Sequence, residues 1–145
     1  MPSVERTVTV EQPPAKVFAY LADFTNTEEW DPPTESTTRT SGDGGVGTTY
    51  HNVSKLLGTE QEVDYVVTEY VEGSRLQLAG DAGSMKLLDT ITVEPSGTGT
   101  SVTYHAEFNP DSTAAKLAEP LMPAGLKILA DKVADSLEEH LNKLV

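Results

Sequence analysis

Near the end of the chain, Leu126, Leu129, Val133, Leu137, Leu141 and Leu144 recur at steps of three and four. That spacing puts them on one face of an α-helix over 124–144. Lys127, Asp131, Lys132, Asp135, Glu138, Glu139 and Lys143 fill the other sides, leaving one dry face and a wide wet one. At about 1.5 Å per residue such a helix runs roughly 30 Å, comparable with the diameter of a small domain. It needs a broad apolar surface to lie on, and the middle of the chain supplies a candidate.

Val4, Val8 and Val10 alternate with Thr7 and Thr9, which predicts a strand over 3–10 with one buried face. Gln12-Pro13-Pro14 breaks it, and Pro14 suits the first turn of a helix, where a missing N–H costs nothing. Val17, Phe18, Leu21 and Phe24 then predict a short amphipathic helix over 15–23. Thr25-Asn26-Thr27-Glu28 reads as a capping box opening one more turn, which Trp30-Asp31-Pro32-Pro33 ends. Further strands are expected over 35–41, 48–54, 61–70, 75–79, 85–94 and 101–108, with 35–41, polar and weakly patterned, as an edge. Pro95-Ser96-Gly97-Thr98-Gly99 is the clearest hairpin turn. The order β-α-α-β-β-β-β-β-β-α implies one α+β domain over 1–145, an antiparallel sheet with its helices on one side.

Alternation also sorts the faces. Val102, Tyr104, Ala106 and Phe108 share one side of the last strand, and Leu87, Ile91 and Val93 take Asp89 inward with them. Val63, Tyr65 and Val67 share a face, as do Leu76 and Leu78, while Tyr50 and Asn52 oppose His51. The inner face is thus aliphatic but carries three tyrosines and a carboxylate. A buried polar group costs a few kcal/mol unless it is hydrogen-bonded. Apolar walls with a few polar groups are the composition of a pocket; a plain core, with hydroxyls reaching the rim and Asp89 paired, is the competing expectation.

At 145 residues the chain can bury a real core, and 37% apolar content argues against disorder. The net charge of −13 disfavours nucleic acid and anionic membrane surfaces. No stretch approaches the ~20 apolar residues of a membrane span, and the N-terminal stretch lacks a signal-peptide layout. The absence of cysteine removes disulfides and thiolate chemistry and fits a cytoplasmic protein. Gly42-Asp43-Gly44-Gly45-Val46-Gly47 matches G-x-G-x-x-G formally, but a strand pattern follows where a dinucleotide site needs a helix, so it reads as a loop. His51, His105 and His140 form no ligand pair, so no metal or other cofactor is expected, and no nucleophile elbow is present.

Taken together, Pro14-Ala15-Lys16-Val17-Phe18-Ala19-Tyr20-Leu21-Ala22-Asp23, Trp30-Asp31-Pro32, Gly45-Val46-Gly47-Thr48, Val67-Thr68-Glu69-Tyr70, Gly73-Ser74-Arg75-Leu76 and Gly97-Thr98-Gly99-Thr100-Ser101-Val102 resemble the SRPBCC superfamily over essentially the full length. The resemblance is to its START-like helix-grip fold and its bacterial polyketide cyclase/dehydrase-like branch. It implies a seven-stranded antiparallel sheet gripping the C-terminal helix, with a hydrophobic cavity between them for a lipid, sterol, polyketide or other apolar molecule.

The expected ligand is therefore a small apolar or amphipathic molecule, bound by a monomer or homodimer without membrane insertion. Trp30, Tyr50, Asn52, Tyr65, Leu76, Leu78, Leu87, Asp89 and Tyr104 would line the cavity beneath Met122, Leu126, Leu129 and Val133. Whether the molecule is transformed stays open. As a cyclase/dehydratase-type enzyme, the protein would use Asp89 with Tyr65, Tyr104 or Tyr50 as acid and base, burial raising the carboxyl toward neutrality. A regulatory module with a protein partner and a collapsed cavity is the third alternative.

Overall fold

The strands and helices fall in the predicted order, in a computed structural model that describes residues 3–56, 59–83, 85–110 and 122–144. The side chains of residues 56, 59, 110 and 122–126 lie outside that description. The elements are β1 (Ser3–Val10), α1 (Pro14–Ala22), a 3₁₀ turn (Phe24–Asn26), α2 (Thr27–Trp30), β2 (Thr34–Ser41), β3 (Thr49–Leu56), β4 (Thr59–Val71), β5 (Arg75–Asp81), β6 (Met85–Ser96), β7 (Gly99–Pro110) and α3 (Met122–Asn142). All seven strands form one antiparallel sheet in the order β1-β7-β6-β5-β4-β3-β2. The expected polar strand β2 is an edge, as is β1, and α3 packs chiefly against β1. This is the helix-grip α+β architecture. Among the described residues no helix is long and apolar enough to cross a membrane.

The start of the chain after β1 differs from expectation in one respect. Thr25 and Glu28 do not form a capping box. Asp23 caps the 3₁₀ turn instead, its carboxylate accepting from the Thr25 N–H at 3.1 Å and the Thr25 hydroxyl at 2.6 Å. Glu28 is drawn across to the sheet, where its carboxylate accepts from the Thr37 N–H at 2.9 Å. A cross-element bond replaces a local one, and it fixes α2 to β2.

The inner face of the sheet divides lengthwise. At one end Val8, Val10, Val67, Leu76, Ile91, Val93 and Val102 are buried together with Val17, Phe18 and Leu21 of α1 and Leu137 and Leu141 of α3. Each such aliphatic side chain contributes about 1.5–3 kcal/mol when fully buried, so this end carries much of the stability. Bonds from the β1–α1 corner pin the end of α3 here: the Glu11 N–H donates to Asn142 Oδ1 at 3.0 Å, and Gln12 Nε2 to the Asn142 and Leu144 carbonyls at 3.2 and 2.8 Å. Nearer the start of α3, Arg6 Nε donates to Asp131 Oδ1 at 2.9 Å in an exposed ion pair. Exposed pairs of this kind are worth about 0–1 kcal/mol.

The β6–β7 hairpin closes at Ser96 and Gly99, with Gly97 at φ +59°, the left-handed conformation that favours glycine. Gly99 lies so close to the end of β1 that a Cβ there would sit 2.1 Å from the Val10 carbonyl oxygen. Neither partner is a movable side-chain tip. Gly99→Ala is therefore expected to destabilise by more than about 2 kcal/mol, read as a lowered urea midpoint.

A buried polar cavity as the candidate site

At its other end the sheet's inner face is hollow. Here β1, β3, β4, β6 and β7, the segment after α2 and the first described part of α3 surround a cavity of about 60 Å³. A water occupies ~10–15 Å³ on the same measure, so the space takes about four waters or a chemical group of that size. The walls are Val4, Pro33, Val63, Leu87, Ala106, Phe108, Leu129, Ala130 and Val133, and the polar lining is Asp31, Ser54, Gln61, Tyr65, Asp89 and Tyr104.

The strands explain how the polar groups meet. Asp89 on β6 faces Ala106 across the β6–β7 pair, a residue too small to cover it. Tyr104, two residues away on β7, reaches the carboxylate diagonally. Tyr65 comes from β4 and must cross β5 to reach it. Gly80 is its β5 partner, and a Cβ there would sit 2.8 Å from the Tyr65 ring. The ring lies over this gap, packed edge-to-face with Phe24 at a centroid separation of 5.1 Å. Both phenols come close enough to the Asp89 carboxyl to favour its charged form.

Asp31 arrives by a different route. It ends α2, and its carboxylate Oδ2 accepts from the Thr34 hydroxyl at 2.6 Å. Thr34 Oγ1 in turn accepts from Asn52 Nδ2 at 3.2 Å, and the same amide donates to Thr37 Oγ1 at 2.8 Å. The Thr37 hydroxyl meets Thr27 Oγ1 at 2.6 Å, and Thr27 donates to the Phe24 carbonyl at 2.8 Å. A closed chain of buried hydroxyls and one amide thus ties α2 to β2 and β3 and aims Asp31. A buried network of this kind is stabilising only when every member is satisfied.

Burial dominates the electrostatics. Desolvation raises Asp89 from its ordinary 3.8 to about 7, aided by the nearby Asp31 charge and opposed by the hydroxyls of Tyr65 and Tyr104. Desolvation likewise raises Asp31 to about 6, against the Thr34 hydroxyl. Tyr65 and Tyr104 are pushed well above the usual phenol value, first by burial and then by the two carboxylates, so both remain protonated donors. Among the described residues two buried side-chain polar atoms have no partner, Trp30 Nε1 and Gln61 Oε1, and Gln61 lines the cavity.

Of the residues expected in the site, Tyr65, Leu87, Asp89, Tyr104, Leu129 and Val133 line this cavity. The side chains of Met122 and Leu126 lie outside the described residues. Trp30, Tyr50, Asn52, Leu76 and Leu78 are buried but not in its wall. Trp30 packs edge-on against Tyr104 at 5.9 Å and backs that ring from behind. Tyr50 packs at a tilt against Phe24, ring centroids 5.7 Å apart, and reaches a surface groove beside Gly44 and Gly45. Asn52 spends its amide on Thr34 and Thr37, and Leu76 and Leu78 are fully buried in the core. Asp31, Gln61 and Ser54 are the polar members that the strand pattern did not supply. The motif Trp30-Asp31-Pro32-Pro33 was the one available signal, since a carboxylate held by a rigid turn beside a buried tryptophan has few conformations open to it. His51 and His105 face outward; the His51 ring is held by Asp64 at 2.8 Å and Glu62 at 3.1 Å.

A helix-grip sheet with an apolar hollow beneath its long helix is a START-like, SRPBCC-type fold. The chain belongs to the family described as polyketide cyclase / dehydrase and lipid transport, whose model matches residues 1–142. Among solved structures it is similar to a START superfamily protein from Mycobacterium smegmatis (TM-score 0.83, 13% identity, 99% of each chain covered). It is also similar to the Zhui aromatase/cyclase from a Streptomyces species (TM-score 0.81, 14% identity, covering 96% of this chain and 92% of that one). A protein from Thermus thermophilus matches at TM-score 0.72 and 18% identity, over 94% of this chain and 97% of that one. No curated protein matches.

The raised carboxyls make stability fall with pH. Folded Asp89 keeps its proton up to about 7, whereas the unfolded chain releases it near 3.8. The folded state therefore loses stability as pH rises from ~4 through ~7, and Asp31, raised to about 6, adds in the same direction. Asp89→Asn is expected to remove most of this slope, gaining on the order of 3 kcal/mol at pH 8 relative to its effect at pH 4. Urea unfolding at the two pH values checks it.

Proposed function

We propose that the protein binds a small amphipathic molecule in this hollow, with a polar end against Asp31, Gln61, Tyr65, Asp89 and Tyr104 and an apolar body against Leu87, Phe108, Leu129 and Val133. The observation that carries the reading is the uneven division of one sheet face. One end is filled with aliphatic side chains, and the other leaves carboxyls, phenols and an unpaired amide oxygen around free space. A fold stabilised by burial gains nothing from that arrangement alone, because carboxyls held away from water cost several kcal/mol. A ligand that supplies partners for them offsets the cost. Membership of a family described by lipid transport and by cyclase and dehydrase activity supports a ligand-holding role. We place the protein in the cytoplasm, in keeping with its lack of cysteine.

Native mass spectrometry of protein purified from its own host is expected to show a co-purifying small molecule. Ala106→Leu, which fills the hollow beside Asp89, is expected to abolish the adduct while leaving the melting temperature within a few degrees. A wild-type protein without adduct, unstabilised by any member of a lipid and polyketide panel, counts against binding.

A second reading is favoured by one observation: Asp89 ionises near neutrality with two phenols beside it. That is the setting of a general base. In a dehydratase-type step the Asp89 carboxylate would take a proton from a carbon beside a carbonyl. Tyr104, still protonated, would give its phenol proton to the departing hydroxyl, which leaves as water, and Asp89 would pass the abstracted proton back to Tyr104. Asp89→Asn would then lower kcat for a β-hydroxyketone substrate by about 100-fold or more with binding retained; unchanged turnover removes this reading.

A further inference from the structure

We infer that the molecule held in this hollow carries an amine head, a protonated nitrogen on a small apolar body, and that fatty acids and other anions are excluded. The inference rests on the binding reading above and names the chemistry of its ligand.

The polar lining is one-sided. Asp31 and Asp89 present carboxyl oxygens, Gln61 presents an amide oxygen without a partner, and Ser54 already donates its hydroxyl to Asn52 Oδ1. Tyr65 and Tyr104 stand beside Asp89, whose carboxyl oxygens are the acceptors nearest their hydroxyls. Among the described residues that line it there is no Lys, Arg or His. Arg6, the inward-facing cation of β1, is engaged with Asp131 at 2.9 Å and is not in the wall. A ligand that brings donors is therefore matched best, and a carboxylate or phosphate would face the like charge of Asp31 and, as pH passes about 7, of Asp89.

An ammonium has three N–H donors and no acceptor, so it complements the set one for one. The roughly four-water volume fits such a head group and not a bulky phosphate ester. The net charge of −13 adds a long-range field that concentrates cations and repels anions.

The charge on the cavity governs its affinity for such a head. Among the described residues the titratable groups facing the space are Asp31 after α2, Asp89 on β6, Tyr65 on β4 and Tyr104 on β7, while α3 contributes Leu129, Ala130 and Val133. Since Asp31 and Asp89 ionise at about 6 and about 7, a cationic ligand displaces their protons and binds more tightly as pH rises. Where the charged site is the competent form, apparent affinity scales with its fraction, so about tenfold or more is expected between pH 5.5 and 8.

The test compares n-butylamine, butan-1-ol and butyrate, titrated into the whole protein at about 0.15 M salt to screen the surface field. The Trp30 indole N–H signal, adjacent to Tyr104, reports occupancy by NMR. The expected order is amine tightest by about tenfold over the alcohol, with butyrate not binding. The amine's affinity should rise with pH and the alcohol's should not. Asp89→Asn should cut the amine's advantage over the alcohol severalfold and leave only the part of its pH dependence centred near 6, where Asp31 ionises. Asp31→Asn is the second variant should the first not fold, and it should cut the same advantage. An alcohol as tight as the amine, binding of butyrate, or an amine preference that survives both variants overturns the inference and leaves the binding reading standing. Failure of all three probes to bind, with no adduct from the host, overturns both.

Discussion

One carboxyl, Asp89, sets the terms for the rest of the site. It sits on the inner face of a central strand with about 5% of its surface exposed, where the strand pattern would otherwise demand Val or Leu. Keeping it there requires a small neighbour opposite, Ala106, and a phenol from each side. One of those phenols requires a glycine, Gly80, in the strand it crosses. Apolar filling is given up around these groups, and the hollow results. Stability is supplied from the opposite end of the same sheet, where α1 and the end of α3 cover a continuous aliphatic layer.

The fold was largely legible because its signals are periodic. Steps of three and four placed α3, and alternation of two placed the inner faces of β4 to β7, including the inward turn of Asp89. Alternation says which side a residue faces and nothing about how far along the sheet the cover is solid. Leu76 and Leu78 share their face with residues of the hollow and yet lie in the packed part. Tyr50 and Asn52 face inward as expected, but near β2, where Phe24 and the threonine network take them up. Asp31 was out of reach for another reason: it stands on irregular backbone after a four-residue helix, and what aims it is a threonine three residues on, itself oriented by an asparagine on another strand.

That network also shows how a surface motif becomes a site residue. Trp30-Asp31-Pro32-Pro33 looks like a helix stop, and Trp30 does close α2 against Tyr104. The same stop delivers a carboxyl to the cavity, since Pro33 and Asp31 both line it. Structural and chemical roles are carried by consecutive residues of one turn. Separating them by mutation calls for isosteric changes, because removal of Thr34 or Asn52 would leave a buried donor or acceptor unpaired.

The fastening of α3 is asymmetric. Its last turn is held to the β1–α1 corner by hydrogen bonds to Asn142 and Leu144, over the tightly filled part of the core. Beside the hollow, the polar tie from β1 is the solvent-washed Arg6–Asp131 pair. Among the described residues one helix therefore serves two purposes: its end is the keel bonded to the β1–α1 corner, and its earlier turns roof the hollow through Leu129, Ala130 and Val133.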